Sequence, residues 1–548
     1  MKLKENEAEK KKRVIVTDSL SEVGIKKLRE FAEVDIELDL SKEDLKERIA
    51  DYDAIVIRSG TKVTKEIIEA GSTGRLKVIG RAGVGVDNIA VETATEKGIL
   101  VVNSPEANTI SAAEHTIAML LSLSRKIPAA NVSLKSGKWD RKKHMGVEVN
   151  GKVLGIIGLG RVGSEVAKRV KGLGMKVVAY DPFITVEKAK ELGITLASLN
   201  ETIQVADFVT LHTPLTKDTR HLIGANEFAL MKGGVRVINC ARGGIIDEHA
   251  LKEAIESGKV AGAALDVFEQ EPPEERDLLE LEEVIVTPHL GASTTEAQKA
   301  AALGIADEVI DALQNKPVRN TVNMIYVEEE IMDTINPYLG LGEKLGLLAA
   351  QLIPKTGRIE QFNVSYEGEL GLADAGIGKN TRIITRAILK SSLSLFTDGV
   401  NYVNAEAIAK KFGIKITESK TEEIEDFSSL ISITTITRIE GEEKKKTVAG
   451  TLFGKDDPRI VKINGYRVDA SPSGCMLICS FLDKPRVIGP VCTILGDRSI
   501  NIAGMQVGRE KVGGEAVMVI NVDSMVSEGC IEEIKHVENI FDVMLVKL

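Results

Sequence analysis

Three side chains, Arg242, Glu271 and His289, are the strongest candidates for chemistry in this 548-residue sequence. Arg242 offers a planar two-point fork for a carboxylate. Histidine is the side chain suited to exchange protons at neutral pH, so His289 can accept a proton in one direction and return it in the other. Glu271 can hydrogen-bond the second ring nitrogen, which fixes the tautomer and stabilises the imidazolium. Each alone has a plain structural explanation: a loop cation, a solvated residue before Pro272 and Pro273, a strand-end histidine. Together they form a set suited to taking a proton from an anionic hydroxy compound.

A second signal lies upstream. Gly158-Leu-Gly160-Arg161-Val162-Gly163 follows an apolar strand and opens a helix, and Asp181 closes the next strand 18 residues past Gly163. That context is the dinucleotide fingerprint, in which glycines let backbone N–H groups approach a pyrophosphate at a helix N-terminus. Asp181 would accept from the ribose hydroxyls and repel a 2′-phosphate, which predicts NAD rather than NADP. Ligands in open α/β sheets bind beyond the carboxyl ends of the strands. Asp181, Thr213, Cys240-Ala241-Arg242, Asp266 and His289 all fall at such ends. The reading is hydride transfer between NAD and a 2-hydroxy acid. Arg242 clamps the carboxylate, and His289 with Glu271 moves the proton. Asp266 is a second orienter of the imidazole, but its position suits a contact to the nicotinamide carboxamide better.

These residues require a particular scaffold. Residues 13–104 alternate strands (Val14–Thr17, Ala54–Ile57, Leu76–Gly80, Leu100–Val102) with helical patterns, which predicts a covered parallel sheet. An apolar helix follows from Ser111, whose Ser-Ala-Ala-Glu start fits a capping box. A second α/β series supplies strands at Val153–Ile157, Lys176–Tyr180, Phe208–His212, Val235–Asn239, Ala263–Val267 and Val284–Thr287. We expect two doubly wound α/β units. The substrate-binding unit is discontinuous, at 13–104 and 292–323, and the Rossmann-type unit spans 105–291. Residues 324–472 predict an α+β unit, with Glu440–Lys446 as a hairpin turn. The end, 473–548, reads βαββαβ, a ferredoxin-like order.

Composition limits the partners. A net charge of −10 gives no support to nucleic acid. No apolar run approaches the roughly 18 residues a membrane span needs. The charged start, MKLKENEAEKKK, is no signal peptide, and Cys240, Cys475, Cys479, Cys492 and Cys530 form neither a disulfide framework nor a zinc site. We expect a cytoplasmic protein without metal.

The stretches Arg81–Asn88, Gly155–Gly163, Asn239–Asp247, Ala264–Phe268 and Pro288–Ser293 resemble the D-isomer-specific 2-hydroxyacid dehydrogenases, in a long form with an intervening and a C-terminal ACT domain. Val448–Gly454 carries the match into the intervening domain. The resemblance implies oxidation of 3-phosphoglycerate to 3-phosphooxypyruvate with NAD, the first step of L-serine synthesis. It implies a cofactor site at Val84, Arg161, Val162, Asp181, Thr213, Cys240, Ala241, Asp266, Gly291 and Ala292. It implies substrate contacts at Arg58, Ser59, Gly60, Arg81, Gly83, Gly85 and Asn103. It also implies a homodimer or homotetramer, with Lys142 or Lys143 near a neighbouring site, and L-serine held by Asp483 and Asn501 of the ACT domain. Arg486 stands where a glycine commonly follows the proline, which crowds that effector turn. The resemblance also offers Arg459, Lys462 and Arg467 as candidate anion contacts of the intervening domain. The rival readings are a hydroxypyruvate or glyoxylate reductase, which usually lacks the long extension, and an NAD-sensing scaffold.

Overall fold

The computed structural model describes residues 11–354, 357–372, 376–424, 426–439 and 441–548. Its first sheet comprises β1 (Arg13–Val16), β2 (Glu33–Ile36), β3 (Ala54–Ile57), β4 (Val78–Arg81) and β5 (Leu100–Asn103). They are parallel, in the order β2-β1-β3-β4-β5. The second comprises β6 (Val153–Ile157), β7 (Lys176–Tyr180), β8 (Thr195–Leu196), β9 (Phe208–Leu211), β10 (Val235–Asn239), β11 (Val260–Leu265) and β12 (Val284–Val286). These also run parallel, in the order β12-β11-β10-β9-β6-β7-β8. Both sheets are doubly wound, as expected. In the second, the order reverses between β6 and β9, which opens a crevice at their carboxyl ends.

Strand interiors such as Ala54–Ile57 and Phe208–Leu211 are wholly buried because helices cover both faces. The helix Thr109–Arg125 packs on β10, β11 and the helix Arg161–Lys171. The helix Thr295–Leu313 returns to the first sheet, against β4, β5 and the helix Glu22–Phe31. Val102 then bridges Thr321, and Asn323 holds the backbone of Ile99 and Val101.

A third, mixed sheet holds β13 (Arg358–Gly368), β14 (Lys415–Thr421), β15 (Ser429–Ile439), β16 (Glu442–Phe453), β17 (Asp457–Ile463) and β18 (Tyr466–Ala470). The fourth holds β19 (Cys475–Leu482), β20 (Ile502–Arg509), β21 (Glu515–Val522) and β22 (Ile540–Lys547), in the antiparallel order β20-β21-β19-β22 of a βαββαβ module. Its inner face joins the core of the third unit, where Met476, Ile478, Val519 and Val546 meet the helix Glu329–Gln351. Gln351 pins that edge by hydrogen bonds to the backbone of Lys547.

Three expectations are corrected. Ser111 is not an N-cap: the helix begins at Thr109 after Asn108, and the Ser111 hydroxyl donates back to the Asn108 carbonyl. The charged run 442–446 is strand, not turn. It pairs residue by residue with β15, Arg438 opposite Glu443, its charges solvated beside the turn at Gly441. Glu440 lies outside the described residues, as do residues 1–10 of the charged start. Strands β2 and β8 were missed because Glu33-Val-Asp-Ile36 is half charged and Thr195–Leu196 is only two residues long. Among the described residues, no helix is long and apolar enough to cross a membrane, and no cluster of His, Cys, Asp or Glu could hold a metal.

Candidate active site

The glycine loop between β6 and the helix Arg161–Lys171 is shaped by close approach. Gly158 has φ 94°, and a Cβ there would lie 2.8 Å from the His212 carbonyl group. A Cβ on Gly163 would overlap the Gly158 carbonyl, whereas Gly160 faces open space. Two glycines therefore build the turn and the third leaves room for a ligand's phosphates beside the helix N-terminus. Asp181 accepts from the backbone N–H of Leu159 at 2.8 Å and of Phe183 at 2.8 Å, which ties the end of β7 to the loop.

Beside this loop lies a cleft of about 540 Å³. Its wall includes Val84, Gly85, Arg161, Val162, Thr213, Cys240, Ala241, Arg242, His289, Gly291 and Ala292 from the sequence reading, together with Asp87, Asn108 and Thr109. Two lining oxygens, Asn108 Oδ1 and Thr213 Oγ1, are buried without a hydrogen-bond partner. Buried polar atoms are rarely left so unless a ligand completes them. Together with the open space at Gly160, they fit a dinucleotide lying across the crevice. Burial, with the nearby Asp266 charge, pushes the Cys240 thiol up to about 12, so it contributes a neutral surface.

His289 Nδ1 lies 2.8 Å from Glu271 Oε2, with the imidazole 43% exposed toward the cleft. Glu271 is anchored in turn, its Oε1 accepting from the Phe268 N–H. Partial burial would raise the Glu271 carboxyl, but the His289 hydrogen bond and charge hold it below its ordinary value. His289 has φ 53°, a left-handed backbone costly for a side chain of this size, of the kind that concentrates at functional sites.

Arg242 follows a tight turn made by Asn239, whose amide accepts from Ala241 N and donates to the Arg242 carbonyl. Its Nε donates to Asp87 at 3.2 Å, across to the loop after β4. A Cβ on Gly85 would overlap the guanidinium as placed, so a larger residue there would have to displace it. Burial and the Arg242 charge push the Arg81 guanidinium down to about 10. It stays charged at neutral pH, and Arg58 is near enough to contribute to the same field. These cations, offset in part by Asp18 and Asp87, make an anion-seeking region where the two α/β units meet.

Several of the expected residues have partners within the chain. Asp266 does not line the cleft; it is fully buried behind it and accepts from Thr287, Leu290 N and Gly291 N. Asn103 donates its amide to the Val84 carbonyl, so it positions the loop rather than facing the cleft. Ser59 and Gly60 form an exposed turn over Asp18, and Gly83 packs against Arg81. Lys143 pairs with Glu282 at 2.9 Å. In the last module Asp483 is held by Arg509 and Gly513 N, and Asn501 by Asp523. Arg486 adopts φ 71°, the conformation a glycine would take without strain. Arg459 and Arg467 are paired with Asp457, Asp469 and Asp426. Lys462 lies on a separate cleft with Glu367, Glu423 and Asp426.

The reading missed Asn108, Asp87 and Asn88. Asn88 joins three segments, donating to the carbonyls of Arg58 and Thr61 and accepting from Arg81. No spacing rule marks such a residue, since its partners are distant in sequence.

The fold and site define an NAD-dependent oxidoreductase of the D-isomer-specific 2-hydroxyacid class. Residues 117–291 match the NAD-binding domain of the D-isomer specific 2-hydroxyacid dehydrogenases, and residues 334–464 match the D-3-phosphoglycerate dehydrogenase intervening domain. A D-3-phosphoglycerate dehydrogenase of Methanocaldococcus jannaschii is 47% identical over 98% of this chain and 100% of its own length. One from Bacillus subtilis is 42% identical over 98% of this chain and 99% of its own. Among solved structures, a glyoxylate reductase from Paecilomyes thermophila superposes with a TM-score of 0.53 at 30% identity, covering 57% of this chain and 98% of its own. The chain belongs to the D-3-phosphoglycerate dehydrogenase family.

Proposed function

We propose that the chain oxidises 3-phosphoglycerate to 3-phosphooxypyruvate, the first step of L-serine synthesis, in the cytoplasm. The observation that carries this is His289, paired with Glu271, opening on the same cleft as Arg242, with Arg81 and Arg58 near enough to add to the positive field. NAD, when bound, supplies the hydride acceptor. Arg242 orients the substrate carboxylate and polarises the carbon to be oxidised. His289 takes the hydroxyl proton at Nε2, because Nδ1 is committed to Glu271, whose charge stabilises the imidazolium. Arg58 and Arg81 favour a substrate bearing a second anion. The 225 residues after position 323 (548 − 323) favour this reading over the reductases, whose solved representative is matched over only 57% of the chain.

The test is NADH formation from NAD with 3-phosphoglycerate, with glycerate and lactate as controls. Equal rates on all three would remove the phosphate from the proposal. NAD binding without any turnover would favour a scaffold.

We also propose a homodimer or homotetramer. The helix Ile127–Lys135 has no buried residue, and Val132, Leu134, Trp139 and Met145 stand exposed around it, an apolar face suited to a second copy. Light scattering checks it, and a monomer would end the proposal. L-serine at the ACT module is the regulatory proposal, tested by titrating serine against activity. Asp483 and Asn501 already hold internal partners and Arg486 sits in the turn, so a flat response would assign the module to assembly.

A further inference from the structure

Behind the wall that carries His289, one carboxylate organises a whole segment. Asp266 Oδ1 accepts from Thr287 Oγ1 at 2.5 Å and Leu290 N at 2.7 Å, Oδ2 accepts from Gly291 N at 2.8 Å, and its carbonyl accepts from His289 N at 2.9 Å. A fully buried carboxylate is costly unless its oxygens are met by donors. One more donor arrives from a different element: His115 Nε2 lies 3.2 Å from Asp266 Oδ1 and 3.1 Å from Thr287 Oγ1. The Thr287 hydroxyl spends its hydrogen on Asp266, so both neighbours of Nε2 are acceptors there. Nε2 therefore carries the hydrogen, an assignment from the network.

We infer that His115 is a positioning residue for the reaction, holding Asp266 so that the 287–291 segment presents His289 to Glu271 and the cleft. His115 sits in the helix Thr109–Arg125, whose first turn lines the cleft through Thr109 and Ala112. The contact thus couples the cofactor-facing helix to the segment that carries the base. That segment needs holding, because His289 occupies a left-handed backbone conformation that its own side chain does not favour. Without the donor, the buried carboxylate is one partner short and can turn toward another, moving Leu290 N and Gly291 N with it. A displacement of the order of 1 Å at a catalytic group costs roughly 10²-fold in rate.

The inference rests on His289 as the base, so the test is a double-mutant cycle in the full-length enzyme. His115→Leu and His115→Gln are made in the wild type and in His289→Ala, and kcat per folded enzyme, both KM values and Tm are measured. His115→Leu is expected to lower kcat roughly 10- to 100-fold with little change in KM. His115→Gln, whose amide nitrogen reaches the position of Nε2, is expected to recover most of it. In the His289→Ala background the Leu substitution is expected to add almost nothing, since the group it positions is gone. Equal losses in both backgrounds, a Gln variant as impaired as Leu, or a change in Tm alone would overturn the inference. A crystal structure of His115→Leu reads the same point without activity: a displaced 287–291 segment supports it and an unmoved one refutes it. If His289→Ala itself keeps full activity, the proton-transfer reading fails instead.

Discussion

In the proposed role, Arg242 would meet a substrate carboxylate while already engaged. Its Nε holds Asp87, so an arriving carboxylate exchanges with a resident one. Asp87→Ala is expected to strengthen substrate binding while leaving the KM for NAD unchanged, which steady-state kinetics checks. Replacing His289 by alanine should reduce kcat roughly 10²–10⁴-fold while NAD still binds, as fluorescence titration would show. Near-normal turnover would take it out of the base role. Asp266 gives a pH dependence. Burial works to raise its carboxyl, but hydrogen bonds from His115, Thr287 and Leu290 hold it below the usual value. A depressed folded value contributes stability above the ordinary aspartate range, near about 3.9, that is lost as pH falls through the lower folded value. Melting curves from about pH 6 to about pH 2 should therefore fall more steeply for the wild type than for Asp266→Asn. At this scale Arg242, Glu271 and His289 could be proposed from sequence, since side chains of distinct chemistry at strand ends stand out against apolar interiors. The polar groups one layer back could not. Asp266 is a strand-end acid in sequence, and only packing reveals that its oxygens are spent on backbone amides.

The elements that place these groups were legible where periodicity is strong. Val153–Ile157, Lys176–Tyr180 and Val235–Asn239 stand at the boundaries expected, because buried parallel strands read as short runs dominated by apolar residues. Glu442–Lys446 misled because charged residues on a solvated hairpin look like a turn, while cross-strand pairing keeps them extended. Ser111 misled because it sits inside the first turn rather than before it. The helix Arg161–Lys171 packs so closely on the Gly158 carbonyl, just past β6, that Gly163 has no room for a methyl group. Gly163→Ala should lower stability by about 1–3 kcal/mol and weaken NAD binding, checked by Tm and by titration. An unchanged affinity would mean that the loop yields without moving the phosphate-facing amides.

At the scale of the whole molecule, the last two units behave as one block. Residues from both fill a single core, and Gln351 holds the backbone of Lys547 across them. Gln351→Leu should speed amide exchange along β22 while leaving turnover intact. Unchanged exchange would show that the shared apolar core alone secures the edge. The order βαββαβ was readable from the sequence, but the shared core was not, because nothing in a strand's alternation names the surface it will cover. The path of the chain through the first unit has a consequence in time. β5 ends at Asn103, yet the helix that covers β4 and β5, and the Thr321 and Asn323 contacts that close the edge, come about two hundred residues later. On the ribosome the first unit must therefore wait, one face of β4 and β5 uncovered, until the unit inserted within it has emerged. The first unit depends on the middle of the chain being made before it can finish folding.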